Sequence, residues 1–478
     1  VGVLLPPSVG GVTVNAALAL LDRVAVNLNY TLTAKDMNDH IRVSGIKRVF
    51  TSHKFYEKLN LPLETEIVFV DDLKPKVATS DKIWGALATY VLPSFLVEMI
   101  QGIRSIKPDD PLTIIFTSGS TGEPKGVVLT QKNVGSNIEA IDDALILNSH
   151  DAILGILPFF HSFGFTVCLW TILTLRPKGV YHFNPLDARI IGKLCQDEKL
   201  TILLSTPTFL RTYIKRCSKE EFSDVRLVVT GAEKLPADVA DAFEEKFGLR
   251  PREGYGTTEL SPVVSVNLPD FQQGNYEQIA TKVGTVGRPL PGISAKVVDP
   301  DTGETLDVDQ PGMLLIKGPN VMSGYLNMPE KTASVLKDGW YSTGDIAKID
   351  NDGFIQITDR QSRFSKIGGE MVPHIKIEEL LTRILMNGNS SEDGPELRAV
   401  VTAVADERKG ERLIVLHKEL SKPIDQVLRE LADSGLPNLW IPSPDSFLRV
   451  DEFPVLGTGK LDLKGVKAVA VAHFASKA

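Results

Sequence analysis

The chain has 478 residues, more than one compact core holds, with 43% hydrophobic and 23% charged residues, the balance of a soluble globular protein. Its formal net charge of −8 argues against a general nucleic-acid binder. The three scattered cysteines (Cys168, Cys195, Cys217) offer no metal-ligand spacing and fit a reducing compartment better than a disulfide framework.

The opening "VGVLLPPSVGG" reads as a strand followed by turn residues, already inside a domain. With no initiating Met and no visible secretory signal, the chain is expected to begin mid-domain. No run of about twenty uninterrupted apolar residues occurs, so no transmembrane helix is predicted. Ile83 to Ile100 comes nearest, with Glu98 its only charge and Pro93 a helix breaker. It reads either as a buried helix pair or as a surface element dipping into a lipid interface, with Trp84 and Tyr90 at headgroup level.

Next, "LTIIF" and "GVVLT" read as strands on either side of the Ser/Gly-rich "FTSGSTGEPKG", Phe116 to Gly126. Leu157 to Leu173 is rich in aromatic and aliphatic residues, suiting a core helix or the wall of an acyl tunnel. "TILLS" before Thr206-Pro207, and "VRLVVT" before a helix opened by Pro236, are βα alternations that predict a parallel sheet covered by helices. After about residue 283 come short strands, "KVVD", "GMLLIKG" and "IAKIDNDGFIQITDR", with a hairpin turn at Asp350 to Gly353. Beyond Arg360, "IKIEELLTRIL" reads as an amphipathic helix, "LRAVVTAVAD" and "RLIVLHK" as strands, and "PIDQVLRELADSG" as a helix. The fold class predicted is an α/β large domain with parallel sheets and helices plus a small β-rich subdomain, followed by a small α+β C-terminal domain. The domains are 1–359 and 360–478, with the boundary near Asp359 to Ser362.

The Phe116 to Gly126 stretch suits phosphate. Gly119 and Gly122 let backbone N–H groups approach an anion, Thr117, Ser118, Ser120 and Thr121 add hydroxyls, and Lys125 adds charge. A Walker A loop is excluded. Counting from Gly119, Pro124 stands where the second glycine must be, and Gly126 where a Ser or Thr must meet Mg²⁺.

The stretch resembles the signature loop of the adenylate-forming superfamily, which includes acyl-CoA synthetases, firefly luciferases and peptide-synthetase adenylation domains. The likeness recurs in order at "LPFFHSFGF", "GAEKLP", "GYGTTE", "GRPLPG", "YSTGD", "ITDRQSRFSKIGGE" and "GTGKLDLK", between residues 117 and 464. It implies a two-step reaction using ATP and Mg²⁺: a carboxylate attacks the α-phosphate, then a thiol displaces AMP. By this resemblance Lys460 bridges carboxylate and α-phosphate, Thr258 bonds the α-phosphate, and Glu259 holds Mg²⁺. Tyr255 stacks on adenine with Gly231, Ala232 and Glu233 opposite, and Gly256 and Thr257 complete that nucleotide-binding segment. Asp345 and Arg360 meet the ribose, and His161 flanks the carboxylate. The C-terminal domain is implied to be mobile, turning about Ser362, where relatives carry Asp or Lys. Gly369 clears a channel for the phosphopantetheine arm, and Lys366 aligns with a lysine of the second half-reaction in luciferase relatives.

The segments "RQSRFSKIGGEMVPHIKIEE" and "LPNLWIPSPDSFLRVDEFPVLGTGKLDLK" resemble one branch, the ligase half of bifunctional acyl-acyl carrier protein synthetase/2-acylglycerophosphoethanolamine acyltransferases. That implies a long-chain fatty acid as substrate, holo-acyl carrier protein as acceptor (or CoA), and a cytoplasmic protein peripheral at the inner membrane. A basic patch of Arg360, Arg363, Lys366 and Lys376 is a candidate landing site for an acidic carrier protein. The acyltransferase half, which would carry H-x-x-x-x-D and Pro-Glu-Gly, is not found. "HFNPLD" (His182 to Asp187) is read as a chance match, and a fused acyltransferase domain is expected, if anywhere, upstream of this chain. A fatty acyl-CoA synthetase, and a nucleotide- or acyl-binding protein without turnover, are the alternatives.

Overall fold

The computed structural model describes residues 1–118, 124–273, 276–360, 363–367, 370–386, 398–406, 410–455 and 461–474. Two compact units are formed. The first comprises Val1–Lys296, Leu315–Thr343 and Ile349–Gln356, and the second Val297–Leu314, Gly344–Lys348 and Ile357–Ala478. The short strands expected after residue 283 are present as Ser294–Val298, Gly312–Lys317, Trp340–Ile349 and Ile355–Arg360, and their residues are divided between the units.

In the first unit the opening apolar run supplies Gly2–Val3, an inner strand of a four-stranded parallel sheet with Val26–Asn27, Arg48–Thr51 and Glu66–Phe69. A seven-stranded sheet contains the βα alternation. Lys178–Tyr181, Ala152–Gly155, Ile202–Ser205, Leu227–Thr230 and Arg252–Gly256 run parallel, and Val263–Val266 and Arg288–Pro289 add antiparallel strands at one edge. Every residue of Ile202–Ser205 and Leu227–Thr230 is buried, as in a sheet covered on both faces. The Thr206 hydroxyl accepts from Phe209 N at 3.4 Å and Pro207 opens the helix Pro207–Arg216, so the start signal in the sequence is the cap observed. Ile191 of the helix Ala188–Asp197, Leu210 and Tyr213 of Pro207–Arg216, and Val239 and Phe243 of Ala237–Phe247 seal these helices onto the sheet.

The parallel expectation does not extend to the strands around the Ser/Gly-rich loop. Pro111–Ser118 and Pro124–Thr130 pair antiparallel, because residues 119–123 are too few for a parallel crossover of roughly a dozen or more. The expectation of a buried helix pair at Ile83 to Ile100 is also overturned. Thr79–Tyr90 and Ser94–Ile100 are helices, but neither contains a buried residue. Among the described residues no helix is long and apolar enough to cross a membrane.

The second unit has a sheet of Glu370–Pro373, Phe364–Ile367, Gly410–His417 and Ala399–Asp406, with Phe447–Arg449 parallel to Gly410–His417. Period-2 alternation assigns its faces. Ala399, Val401, Leu413 and Val415 pack with the helices His374–Met386 and Ile424–Asp433, while Val400, Val404, Ile414 and Leu416 pack with Leu463–Phe474.

Candidate functional site

The loop strands register Thr117 opposite Lys125 and Phe116 opposite Gly126. The strand Gly324–Tyr325 adds to the same sheet, with Tyr325 opposite Val127. That register brings the Lys125 ammonium over the Tyr325 ring, 5.4 Å from its centroid. The Tyr325 hydroxyl donates to Glu259 Oε1 at 2.9 Å, and Tyr341 hydrogen-bonds Tyr325. Burial, and then the negative charge of Glu259, push both phenols above their ordinary range. Both therefore stay protonated at neutral pH, and they fix the carboxylate as a chain of donors.

Glu259 is set by the "GYGTTE" segment. A Cβ on Gly256 would stand 1.9 Å from the Pro262 carbonyl oxygen, so this turn admits only glycine. The chain then enters a short helical turn, Thr258–Leu260, whose N-cap is Thr257. The Thr258 and Ser162 hydroxyls meet at 3.2 Å, and Thr166 Oγ1 donates to the Ser261 carbonyl at 2.7 Å. Met322 N donates to the Glu259 carbonyl at 2.8 Å. Segments 157–166, 254–261 and 322–325, distant in sequence, thus meet around Glu259, with Tyr325 bonded to its carboxylate. The Thr257 hydroxyl beside them is buried and has no hydrogen-bond partner, which is the expected state of a donor kept for a ligand.

Gly231 follows the strand Leu227–Thr230, and a Cβ there would touch Phe163 at 3.4 Å, so "GAEKLP" lies against "LPFFHSFGF". Ala232 holds a left-handed φ of +67°, a costly conformation for a residue with a Cβ. Glu233 Oε2 accepts from Thr208 Oγ1 at 2.8 Å. Tyr255 is half-buried on Arg252–Gly256. His161 is exposed, with its ring tilted against Phe160 at 4.5 Å. The apolar run after it forms a π-helix, Gly164–Trp170, whose residues from Gly164 to Leu169 are all buried. These side chains pack as core, so the run's hydrophobicity by itself does not mark a tunnel.

In the second unit Asp345 is buried on Trp340–Ile349. Gly119, Ser120, Thr121, Gly122, Ser362, Gly369 and Lys460 lie outside the described residues. Ser118, Arg360 and Lys366 stand in described strands, with side chains outside the description. The basic patch is corrected at Arg363. Arg363 is an internal residue, 13% exposed and ion-paired with Glu378, whose Oε1 also accepts from Val401 N at 2.7 Å. The spacing of cations along the chain does not reveal this, because Glu378 arrives from the following helix. Lys376 instead lies over the Trp440 ring at 5.3 Å.

Residues 1–326 match the AMP-binding enzyme family. The chain belongs to that family. It is 32% identical over 372 residues to 4-coumarate–CoA ligase 1 of Arabidopsis thaliana, covering 75% of this chain and 64% of that one. It is also 32% identical over 372 residues to a long-chain-fatty-acid–CoA ligase of Bacillus subtilis (strain 168), with 75% and 62% covered. The match therefore spans less than two thirds of these relatives' own length. Among solved structures, ATP-bound MatB from Rhodopseudomonas palustris superposes with a TM-score of 0.73 at 26% identity, over 99% of this chain and 88% of that one.

An AMP-binding enzyme needs a place for phosphates and for the cation that accompanies them, and the residues here fit both. The orphaned Thr257 hydroxyl and the Lys125 ammonium suit phosphate oxygens. Glu259 is an oxygen ligand held in a fixed orientation. Among the described residues no cluster of three or more His, Cys, Asp or Glu is placed to hold a metal. Mg²⁺ at Glu259 would accordingly be shared with nucleotide phosphates, its usual mode. Sequence reading missed Tyr325 and Ser162 as parts of the site, and gave Tyr341 no role although it opens the quoted "YSTGD". Tyr325 carried no local signal, because its importance comes from strand pairing across a wide sequence separation.

Proposed function

We propose that this AMP-binding enzyme is an ATP-dependent long-chain fatty acid ligase that forms an acyl-adenylate and passes the acyl group to the phosphopantetheine thiol of acyl carrier protein. The observation that carries the reading is the donor chain Tyr341–Tyr325–Glu259 beside Lys125 and Thr258, an array for anionic phosphate with one oriented carboxylate. In the first step the fatty acid carboxylate attacks the α-phosphorus of ATP. The bond to the β-phosphate oxygen breaks, and pyrophosphate leaves. Residues 117–122, Lys125 and Thr258 hold the phosphates, Lys460 offsets repulsion between the two anions, and Glu259 would hold Mg²⁺, which would supply further charge neutralisation. Tyr255, Gly231, Ala232, Glu233 and Gly256 frame the adenine side, Thr257 continues that segment toward the phosphates, Asp345 and Arg360 take the ribose, and His161 borders the acid. In the second step residues 360–478 turn about Ser362. The thiol, admitted past Gly369 with Lys366 nearby, attacks the acyl carbon; the bond to AMP breaks and the thiol proton passes to solvent.

A long-chain acid is supported by the name of the Bacillus relative. Carrier protein as acceptor, with a cytoplasmic enzyme working at the inner membrane, is supported by the likeness of segments 360–379 and 436–464 to the carrier-protein ligase branch. CoA is a second reading, favoured by the names of both relatives. Mass spectrometry after mixing enzyme, ATP, Mg²⁺, palmitate, CoA and holo-carrier protein decides between them. Palmitoyl-carrier protein with AMP and pyrophosphate is expected. Palmitoyl-CoA alone selects the second reading, and neither thioester nor pyrophosphate would reduce the chain to a binding protein.

A further inference from the structure

The helices Thr79–Tyr90 and Ser94–Ile100 have no part in the site, and what covers them is not in the chain's own core. Ile83 (65% exposed), Trp84, Leu87 and Tyr90 (86% exposed) follow one another at helical spacing, and Phe95 and Met99 continue the apolar surface on the second helix. A monomer in water does not keep such a surface bare without a use for it. Within residues 74–107 the cations Lys74, Lys76, Lys82, Arg104 and Lys107 outnumber the carboxylates Asp81 and Glu98, and the other acids nearby flank the segment. Of the acids in or beside the segment, Asp81 accepts from the Ala78 N–H in the helix cap, Glu98 pairs with Arg104, Asp110 accepts from the Lys107 N–H, and Asp109 is exposed at the segment's C-terminal edge. Asp71 and Asp72 are bound to His53. Lys74, Lys76, Lys82 and Lys107 are exposed and have no acidic partner among the described residues. An apolar stripe with aromatic residues, flanked by unpaired lysines, on helices too short to span a bilayer, has the chemistry of an interfacial anchor.

We infer that residues 74–107 dock this protein on the surface of an anionic lipid bilayer, with Trp84, Tyr90 and Phe95 in the headgroup region and the lysines against lipid phosphates. A second copy of the chain fits less well, because a two-fold face would bring the same unpaired lysines together. The inference does not depend on which acid or thiol the enzyme uses. Its test reads binding, not turnover. Full-length protein and a Trp84→Glu/Phe95→Glu double variant are co-sedimented with phosphatidylglycerol/phosphatidylethanolamine vesicles and with phosphatidylcholine vesicles. Circular dichroism confirms that both fold, as substitutions at exposed positions should allow. The anionic vesicles should bind the parent protein at least about tenfold more tightly than the zwitterionic ones, salt should weaken that binding, and the double variant should lose at least about tenfold. ATP–pyrophosphate exchange with a water-soluble acid should be unchanged in the variant. Equal vesicle binding by parent and variant, or binding by neither, would overturn the inference. So would a shift from dimer to monomer in sedimentation velocity of the variant with vesicle binding intact, which would assign the face to a second copy.

Discussion

Tyr325 is the residue on which the candidate site closes. Strand pairing with Val127 carries it next to Lys125, and its hydroxyl hands a proton donor to Glu259 while receiving one from Tyr341. Replacing Tyr325 by Phe keeps the ring that packs against Lys125 and removes the donor. A hydrogen bond to a carboxylate contributes about 1.5 kcal/mol or more, so ATP–pyrophosphate exchange should fall roughly tenfold and need more Mg²⁺ for half-maximal rate. Exchange at the parent rate and parent Mg²⁺ requirement would show that Glu259 is oriented by something else. Gly256 makes a related point about legibility. Its place in "GYGTTE" marked it as part of the site, but the reason for glycine, a Pro262 carbonyl 1.9 Å from where a Cβ would be, exists only once residues 254–263 fold back on themselves.

At the scale of elements, local signals were read well and long-range partners poorly. The helix Pro207–Arg216 announces itself because its cap and first proline act within four residues, and the strands of the seven-stranded sheet because fully buried strands are continuous apolar runs. The pairing of Pro111–Ser118 with Pro124–Thr130, the Arg363–Glu378 pair and the exposure of Thr79–Ile100 depend on what lies opposite, which periodicity does not encode. His374, at the start of the helix His374–Met386, is another such case. It is buried against the Ser365 hydroxyl, and burial, with the Arg363 charge adding to it, pushes its imidazole down to about 3 from an ordinary 6.5. The folded chain therefore keeps His374 neutral where the unfolded chain protonates it. Its contribution to stability is full above about pH 6.5 and is lost as the pH falls from there toward 3, at up to about 1.4 kcal/mol per pH unit. Urea unfolding of the parent and of His374→Leu at pH 7 and pH 5 checks this. The stability difference between the two proteins should shift in favour of the variant at pH 5, and a difference independent of pH would contradict the assignment.

At the scale of the whole molecule, the proposed reaction places both chemical steps in one chain of two compact units. The first unit brings together hydroxyls, an ammonium and an oriented carboxylate. In the proposed reaction the cation that offsets repulsion between fatty acid and α-phosphate comes from Lys460, in the second unit's sequence. The direct measurement is acyl-adenylate yield from ATP and palmitate by the Lys460→Met protein, set against its ATP affinity by calorimetry. Adenylate formation should fall by about a hundredfold or more, in line with the loss of one fixed electrostatic group, while ATP binds as before. Undiminished adenylate yield from that variant would contradict the account.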